Sequence, residues 1–434
     1  MLARDLRLGG QRRRRSGWGL VVGLGLIASG RAQAQGFALE IQSAKAAGLG
    51  GAFVALADDP SAAFYNPGGL ALLKKKKAAQ GGLSVSTFNE SLYQGLGPGP
   101  AAGTTGEQET PLNLPAHLYL VQPLAQRIVL GVATYSPFWL QTHWRPAATY
   151  AGRTLALRSQ VESYEVNPSV SFALTPTLGL GVGGAYRTSQ VVLERRFQGL
   201  NPFTGQLVDV ATVKADTDNE ASFSWNAGLL WRPGKVAFGL AYRSGVKVDY
   251  SGSAKLTQIP TGNAQLDQLF AATLPFGREI PLTTALRFPD LATAGLSVAL
   301  GQHSSIEVDV SRRGWKKLRE VAFRFPGQSD LDQTLALNLE DSQSYRLGLL
   351  LGTATGSQFR FGYALEESPV TDVDLSPFWP DADRSTVSAG FGRDWLDVAL
   401  SWTAYDQRIV RTNRNGVNGN YRANAWAVTV TLKK

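Results

Sequence analysis

Beyond residue 34 the chain has no run of about 20 apolar residues, so no segment there can cross a bilayer as a helix. Apolar and polar residues instead alternate singly. Ile306, Val308 and Val310 alternate with Glu307, Asp309 and Ser311; Leu396, Val398, Leu400 and Trp402 with Asp397, Ala399, Ser401 and Thr403. The same pattern holds for Phe359, Phe361, Tyr363 and Leu365 against Arg360, Gly362, Ala364 and Glu366, and for Val236, Phe238, Leu240 and Tyr242 against Ala237, Gly239, Ala241 and Arg243. Successive side chains of a strand point to opposite faces. Each segment therefore offers one face to hydrocarbon and one to a polar or small-residue interior.

A soluble β-sandwich also alternates, and two features favour a membrane barrel over it. Short turns at Arg232-Pro233-Gly234, Thr175-Pro176-Thr177 and Gly301-Gln302-His303-Ser304 alternate with long polar connections, the asymmetry of outer-membrane barrels. Trp231, Tyr242, Tyr250, Trp315, Trp395, Trp402 and Tyr421 fall near strand ends, where aromatic girdles meet the lipid headgroups. Strand centres are expected near Val85, Tyr119, Val132, Val166, Tyr186, Trp225, Tyr242, Gly295, Val308, Leu349, Phe361, Ala389, Ala399 and Val428. The predicted fold is all-β: a transmembrane antiparallel β-barrel of about 14 strands, an even number as bacterial barrels require. Its last strand, 423–432, keeps Trp426, Val428, Val430 and Leu432 on one face, but Lys433 and Lys434 follow where such barrels typically end on an aromatic residue.

The N-terminus reads as an export leader. Arg4, Arg7 and Arg12 to Arg15 form a basic region, Trp18 to Ala28 an apolar stretch, and Ala32-Gln33-Ala34 a small-residue cleavage site, the order of a secretory signal peptide. Residues 1–34 hold seven arginines and one aspartate, so their removal takes the net charge from +9 to +3. A nucleic-acid partner loses its support. Lys74 to Lys77 remain as a solvated basic run ahead of the first strand. The chain has no cysteine, so disulfides, thiolate metal sites and cysteine nucleophiles are excluded.

Between leader and strands lies a stretch unlike either, Gly36 to Leu73 (GFALEIQSAKAAGLGGAFVALADDPSAAFYNPGGLALL). Ala and Gly dominate it, Asp58-Asp59-Pro60 offers a helix start, and Asn66-Pro67-Gly68-Gly69 forces a turn before Leu70. A small apolar packet ahead of a barrel suggests a plug. ADDPSAAFYNPGGLALL, preceded by GLGGAFVA, resembles the N-terminal hatch of the FadL family of outer-membrane transporters for long-chain fatty acids and other hydrophobic compounds. Leu114-Pro115-Ala116-His117, Leu286-Arg287-Phe288-Pro289-Asp290 before a strand with Trp315 at its far end, and Pro380-Asp381-Ala382-Asp383-Arg384 follow in the family's order. The expected organisation is a signal peptide over 1–34, a hatch over 35–78 and a barrel over 79–434. The resemblance implies a monomer in the outer membrane of a Gram-negative-type bacterium, in contact with outer-membrane lipid and lipopolysaccharide. Its cargo would be hydrophobic small molecules, either long-chain fatty acids or hydrocarbons.

Several residues are candidates for handling such a cargo. Arg187 sits where the resemblance suggests a head-group arginine, and Arg243, Arg346 and Arg360 face inward by alternation. The alternative for each is an interior ion-pair network with Glu307, Asp309 or Glu366. A helical piece, 263–273, carries Leu266, Leu269 and Phe270 on one side. With the loop 198–218 it forms either a surface capture groove, as the resemblance implies, or a helix packed on its own barrel. A proline removes a ladder donor and bends a strand. Ser136-Pro137, at the end of a strand over 128–135, is therefore the expected lateral opening, with Asn167-Pro168 as the competing site.

Other chemistries find little support. Gly179-Leu180-Gly181-Val182-Gly183-Gly184 matches a dinucleotide fingerprint, but no helix follows it and no acidic residue stands about 20 positions on; small residues facing a crowded interior explain it better. His117, His143 and His303 are far apart and lack metal-ligand spacing, so neither metal nor cofactor is expected. A barrel-embedded lipase-type enzyme would need a nucleophile with a positioned base, and no G-x-S-x-G elbow is present. A passive porin is the other alternative, against which the hatch argues.

Overall fold

The computed structural model describes residues 37–73, 77–109 and 112–434. The expected leader, 1–34, and the lysines at 74–76 lie outside the described residues. Fourteen strands form the barrel: β1 Ala78–Gly95, β2 Ala116–Pro123, β3 Ile128–Tyr135, β4 Arg158–Thr175, β5 Leu178–Leu200, β6 Glu220–Trp231 and β7 Val236–Arg243. They continue with β8 Leu291–Ala299, β9 Ser305–Arg313, β10 Ser342–Gly352, β11 Gln358–Glu366, β12 Arg384–Arg393, β13 Leu396–Tyr405 and β14 Gly419–Lys433. Each pairs antiparallel with the next, and β14 closes on β1 through pairs such as Val85↔Val428. Every expected strand centre falls in its own strand. No helix among the described residues is long and apolar enough to cross a membrane.

The alternation resolves as the sequence suggests. Val308, Val310, Phe361 and Leu400 are exposed on the outside, while Glu307, Asp309, Arg360 and Asp397 are buried within. Trp231, Trp395 and Trp402 lie outward near strand ends. Tyr250, Trp315 and Tyr421 correct the girdle assignment, because all three are buried. Tyr250 and Tyr421 point inward by their phase in the alternation, where the Tyr250 hydroxyl meets Ser189 Oγ at 2.6 Å and the Tyr421 hydroxyl donates to the Val417 carbonyl at 2.8 Å, whereas Trp315 lies beyond its strand in a 3-10 turn, Trp315–Lys317.

At the long-loop end the wall continues as strands Leu207–Thr217, Val246–Gln258 and Glu279–Phe288. The connection 314–341 carries a two-stranded sheet, Glu320–Phe323 with Gln333–Ala336. Trp315, Val321, Phe323, Leu331 and Leu335 from this connection pack with Phe37, Phe138, Phe288 and Trp379 in one apolar core.

Residues 37–73 are almost wholly buried and contact inward-facing residues of many strands. They form helix α1 Ala44–Gly48, helix α2 Ala62–Tyr65 and a 3-10 turn Pro67–Leu72. Asn66 caps that turn by accepting from the Gly68 N–H at 3.1 Å and donates to the carbonyls of Val54 and Leu229 at 2.9 and 3.0 Å. Glycine on the wall makes this contact possible. A Cβ on Gly179 or Gly181 of β5, or on Gly228 of β6, would overlap the chain at Asn66 to Gly68. Gly239 likewise approaches Val54, and Gly362 approaches Gly50. The glycine run in β5 is thus a packing surface.

Candidate functional site

The wall is interrupted after β3. β2 and β3 pair only as far as Leu118↔Thr134. Beyond that point Ser136, Pro137 and Phe138 face only Ser163 and Tyr164, a one-residue bulge between Tyr135↔Glu165 and Trp139↔Glu162. The freed backbone groups turn inward. The Leu39 N–H donates to the Pro137 carbonyl at 2.8 Å, the Trp139 N–H to the Phe37 carbonyl at 2.9 Å, and Gln42 Nε2 to the Ser136 carbonyl at 2.7 Å. Trp139 Nε1 donates to Asn113 Oδ1 at 2.8 Å across the interruption. At Asn167-Pro168 the register with β5 stays the same on both sides (Val166↔Tyr186, Ser169↔Gly183), so no bulge forms at the competing site.

Beside the interruption Phe37 sits in an aromatic box. Its ring centroid lies 4.6 Å from Trp379, 5.0 Å from Trp315, 5.8 Å from Phe138 and 6.2 Å from Phe288, the edge-on and tilted arrangements that ring quadrupoles favour. Three residues on, Glu40 is ion-paired to both Arg313 and Arg346. Arg346 also donates to Glu366 at 2.9 Å, and Arg384 meets the other Glu366 oxygen at 2.6 Å. A cavity of about 260 Å³ adjoins both groups. Phe37, Trp379, Glu40 and Arg346 line it together with inward-facing Phe88 and outward-facing Leu92 and Trp426. Residues from both faces of the wall therefore border one space.

The four candidate arginines all carry internal partners. Arg187 gives Nε and Nη2 to Glu165 Oε1, and its guanidinium lies over the rings of Phe138 and Phe288 at 4.9 and 4.7 Å. Arg243 donates to Glu165 Oε2, to the Tyr135 hydroxyl and to the Phe64 carbonyl. Arg360 pairs with Asp397 at 2.7 Å. Of the four, only Arg346 lines this cavity. The expected acidic partners divide. Glu366 does pair with Arg346, whereas Asp309 Oδ2 accepts the N–H groups of Phe53 and Val54 at 2.8 and 3.0 Å, and Glu307 Oε1 that of Ala55 at 2.8 Å.

The remaining candidates fall in two places. In the N-terminal segment Asp58 pairs with Lys45 at 2.6 Å, and Asp59 accepts from the N–H and hydroxyl of Ser61, turning the chain at Pro60 into α2. Burial raises the Asp59 carboxyl above its ordinary range. At the long-loop end helix α3 Ala264–Thr273 is capped by Asn263, with Leu266 buried and the Phe270 ring against Gly199. Leu269 stays exposed beside a loop whose Leu200, Phe203 and Leu207 are exposed too. Sequence reasoning missed Glu40, Arg313 and the aromatic box. The run FALE carries both an aromatic ring and a carboxylate, but their partners lie more than 100 positions away.

A family model described as outer membrane protein transport protein (OMPP1/FadL/TodX) matches residues 25–434. The chain belongs to this family. FadL/TodX membership makes it a transport protein of the Gram-negative outer membrane, not an enzyme. Among its relatives a long-chain fatty acid transport protein of Salmonella typhi is 24% identical over 92% of this chain and 94% of that protein. A solved Pseudomonas aeruginosa FadL homologue shares the fold with a TM-score of 0.76 at 18% identity, covering 92% of this chain and 99% of the other. The toluene transporter TodX of Pseudomonas putida has a TM-score of 0.66 at 16% identity, with 92% and 99% covered.

Proposed function

We propose that this protein imports apolar molecules with an acidic head group, of which long-chain fatty acids are the natural class. The observation that carries the reading is the cavity of about 260 Å³, which joins an aromatic box to a cluster of arginines and borders both faces of the wall. Each methylene removed from water contributes roughly 0.8 kcal/mol, so a long tail gains on the order of 10 kcal/mol before ordering costs. Arg346, with Arg384 behind it, would hold the carboxylate. The charged cluster favours an acid over a toluene-like hydrocarbon, and the relative named as a fatty-acid transporter points the same way.

Residues 37–73, within the expected hatch over 35–78, act as a plug that closes the lumen, and Leu269 with Leu200 and Phe203 forms the first capture surface. The ligand leaves sideways through the interruption at Ser136-Pro137. Axial release into the periplasm would return every methylene to water, whereas lateral release keeps the tail in hydrocarbon. We read the barrel as a monomer whose outer face meets lipid and lipopolysaccharide. The test is equilibrium binding of oleate to the purified protein held in an amphipol. Oleate should bind, and Trp379→Ala, which opens one wall of the box, should weaken it about tenfold. Failure of oleate to bind, or equal affinity in the variant, would contradict the assignment.

A further inference from the structure

We propose that Glu40 is an internal substitute for the ligand carboxylate, so that apolar acids release the N-terminal segment and neutral apolar molecules do not. The proposal rests on the import reading above and names what selects among its cargoes.

Phe37 and Glu40 lie three residues apart on a non-helical stretch. The ring fills the aromatic box, and the carboxylate places one oxygen against Arg313 and the other against Arg346. All three charged side chains are withdrawn from solvent, at 12% exposure for Glu40, 4% for Arg313 and 3% for Arg346. Residues 37–40 thus present an apolar group and a carboxylate joined by a short linker, which is the chemistry of an apolar acid. Glu40 and Arg346 both line the cavity, and Glu40 and Arg313 line a smaller one of about 20 Å³, so an incoming head group meets Glu40 and Arg346 first and reaches Arg313 as Glu40 withdraws.

The charge balance decides which molecules can make the exchange. Glu40 is the only ion-pair partner of Arg313 among the described residues. A buried guanidinium left without an anion is strongly unfavourable, so Glu40 cannot leave unless another anion takes its place. A ligand carboxylate replaces it one for one and keeps the paired hydrogen-bonding geometry that guanidinium groups prefer. A hydrocarbon can compete with Phe37 for the box, yet it gives Arg313 nothing. A ligand shifts a conformational equilibrium only by its differential affinity for the two states; here the head-group charge supplies that difference.

The test compares oleate with oleyl alcohol, which has the same chain and no charge. Ala38 is 6% exposed and the chain has no cysteine, so Ala38→Cys reports release of the segment through its rate of maleimide labelling. Oleate should speed labelling about tenfold and oleyl alcohol should leave it nearly unchanged. Glu40→Gln removes the internal competitor and should tighten oleate binding about tenfold without affecting oleyl alcohol. Equal effects of the two probes on labelling, or unchanged oleate affinity in Glu40→Gln, would overturn the proposal. The labelling comparison carries it alone if that variant fails to fold. Binding of neither probe to the otherwise unaltered protein would instead overturn the import reading itself.

Discussion

Arg360 and Asp397 are 0% and 1% exposed, with Lys433 as the second cation on Asp397 at 2.9 Å. Arg360→Ala leaves that buried carboxylate one cation short, which should cost about 3 kcal/mol. The loss would appear as a lower urea midpoint, with oleate affinity unchanged because Arg360 does not line the cavity. Weakened oleate binding at unchanged stability would restore Arg360 to the ligand site. That these arginines face inward was legible from alternation alone, since period 2 assigns a face to every residue of a strand. Of their expected partners only Glu366, which pairs with Arg346, was legible. Glu307 and Asp309 face inward as expected, but the backbone of residues 53–55 presents three N–H groups with no strand beside them. Buried donors need acceptors, and these carboxylates meet that need instead of pairing with arginine.

At the scale of elements, the segment 37–73 and the wall fit through missing side chains. The turn Asn66-Pro67-Gly68-Gly69 and the glycine run of β5 were each visible in the sequence, the first as a turn and the second as a small-residue surface. Nothing local reveals that they touch, because the contact joins residues more than 100 positions apart. Gly181→Val would place a branched side chain where Pro67 and Gly68 now lie. Without room to rotate away, the segment should be displaced while the barrel still closes. The expected result in planar bilayers is a higher conductance to small ions, with the heat-dependent gel shift of a closed barrel retained. Conductance equal to that of the unaltered protein would contradict the hatch role. The strands Leu207–Thr217, Val246–Gln258 and Glu279–Phe288 illustrate a different limit. They extend the barrel strands beyond the girdle, and alternation does not change where lipid gives way to loop packing.

For the molecule as a whole, closure of fourteen strands was legible because every strand must hide its backbone from hydrocarbon, which requires a continuous ladder around the barrel. Pro137 was one of two places, with Pro168, where the sequence allowed that ladder to stop. The opposite rim of the gap was not legible, because Asn113 belongs to an irregular stretch whose only sequence signal is the Leu114-Pro115 pair. Gap, aromatic box and arginine cluster gain meaning together. On the proposed reading a ligand seated between Trp379 and Arg346 would lie inside the barrel yet border a space lined from both faces of the wall, and the path that avoids water would run through the wall. Asn113 and Trp139 face each other across that path. Cysteines at these two positions, in a chain that otherwise has none, can be joined by a short bis-maleimide in intact cells. Oleate uptake should then fall to the rate of cells lacking the protein, while either single cysteine treated the same way should leave uptake unchanged; normal uptake through fully crosslinked protein would contradict lateral release and point to a path along the barrel axis.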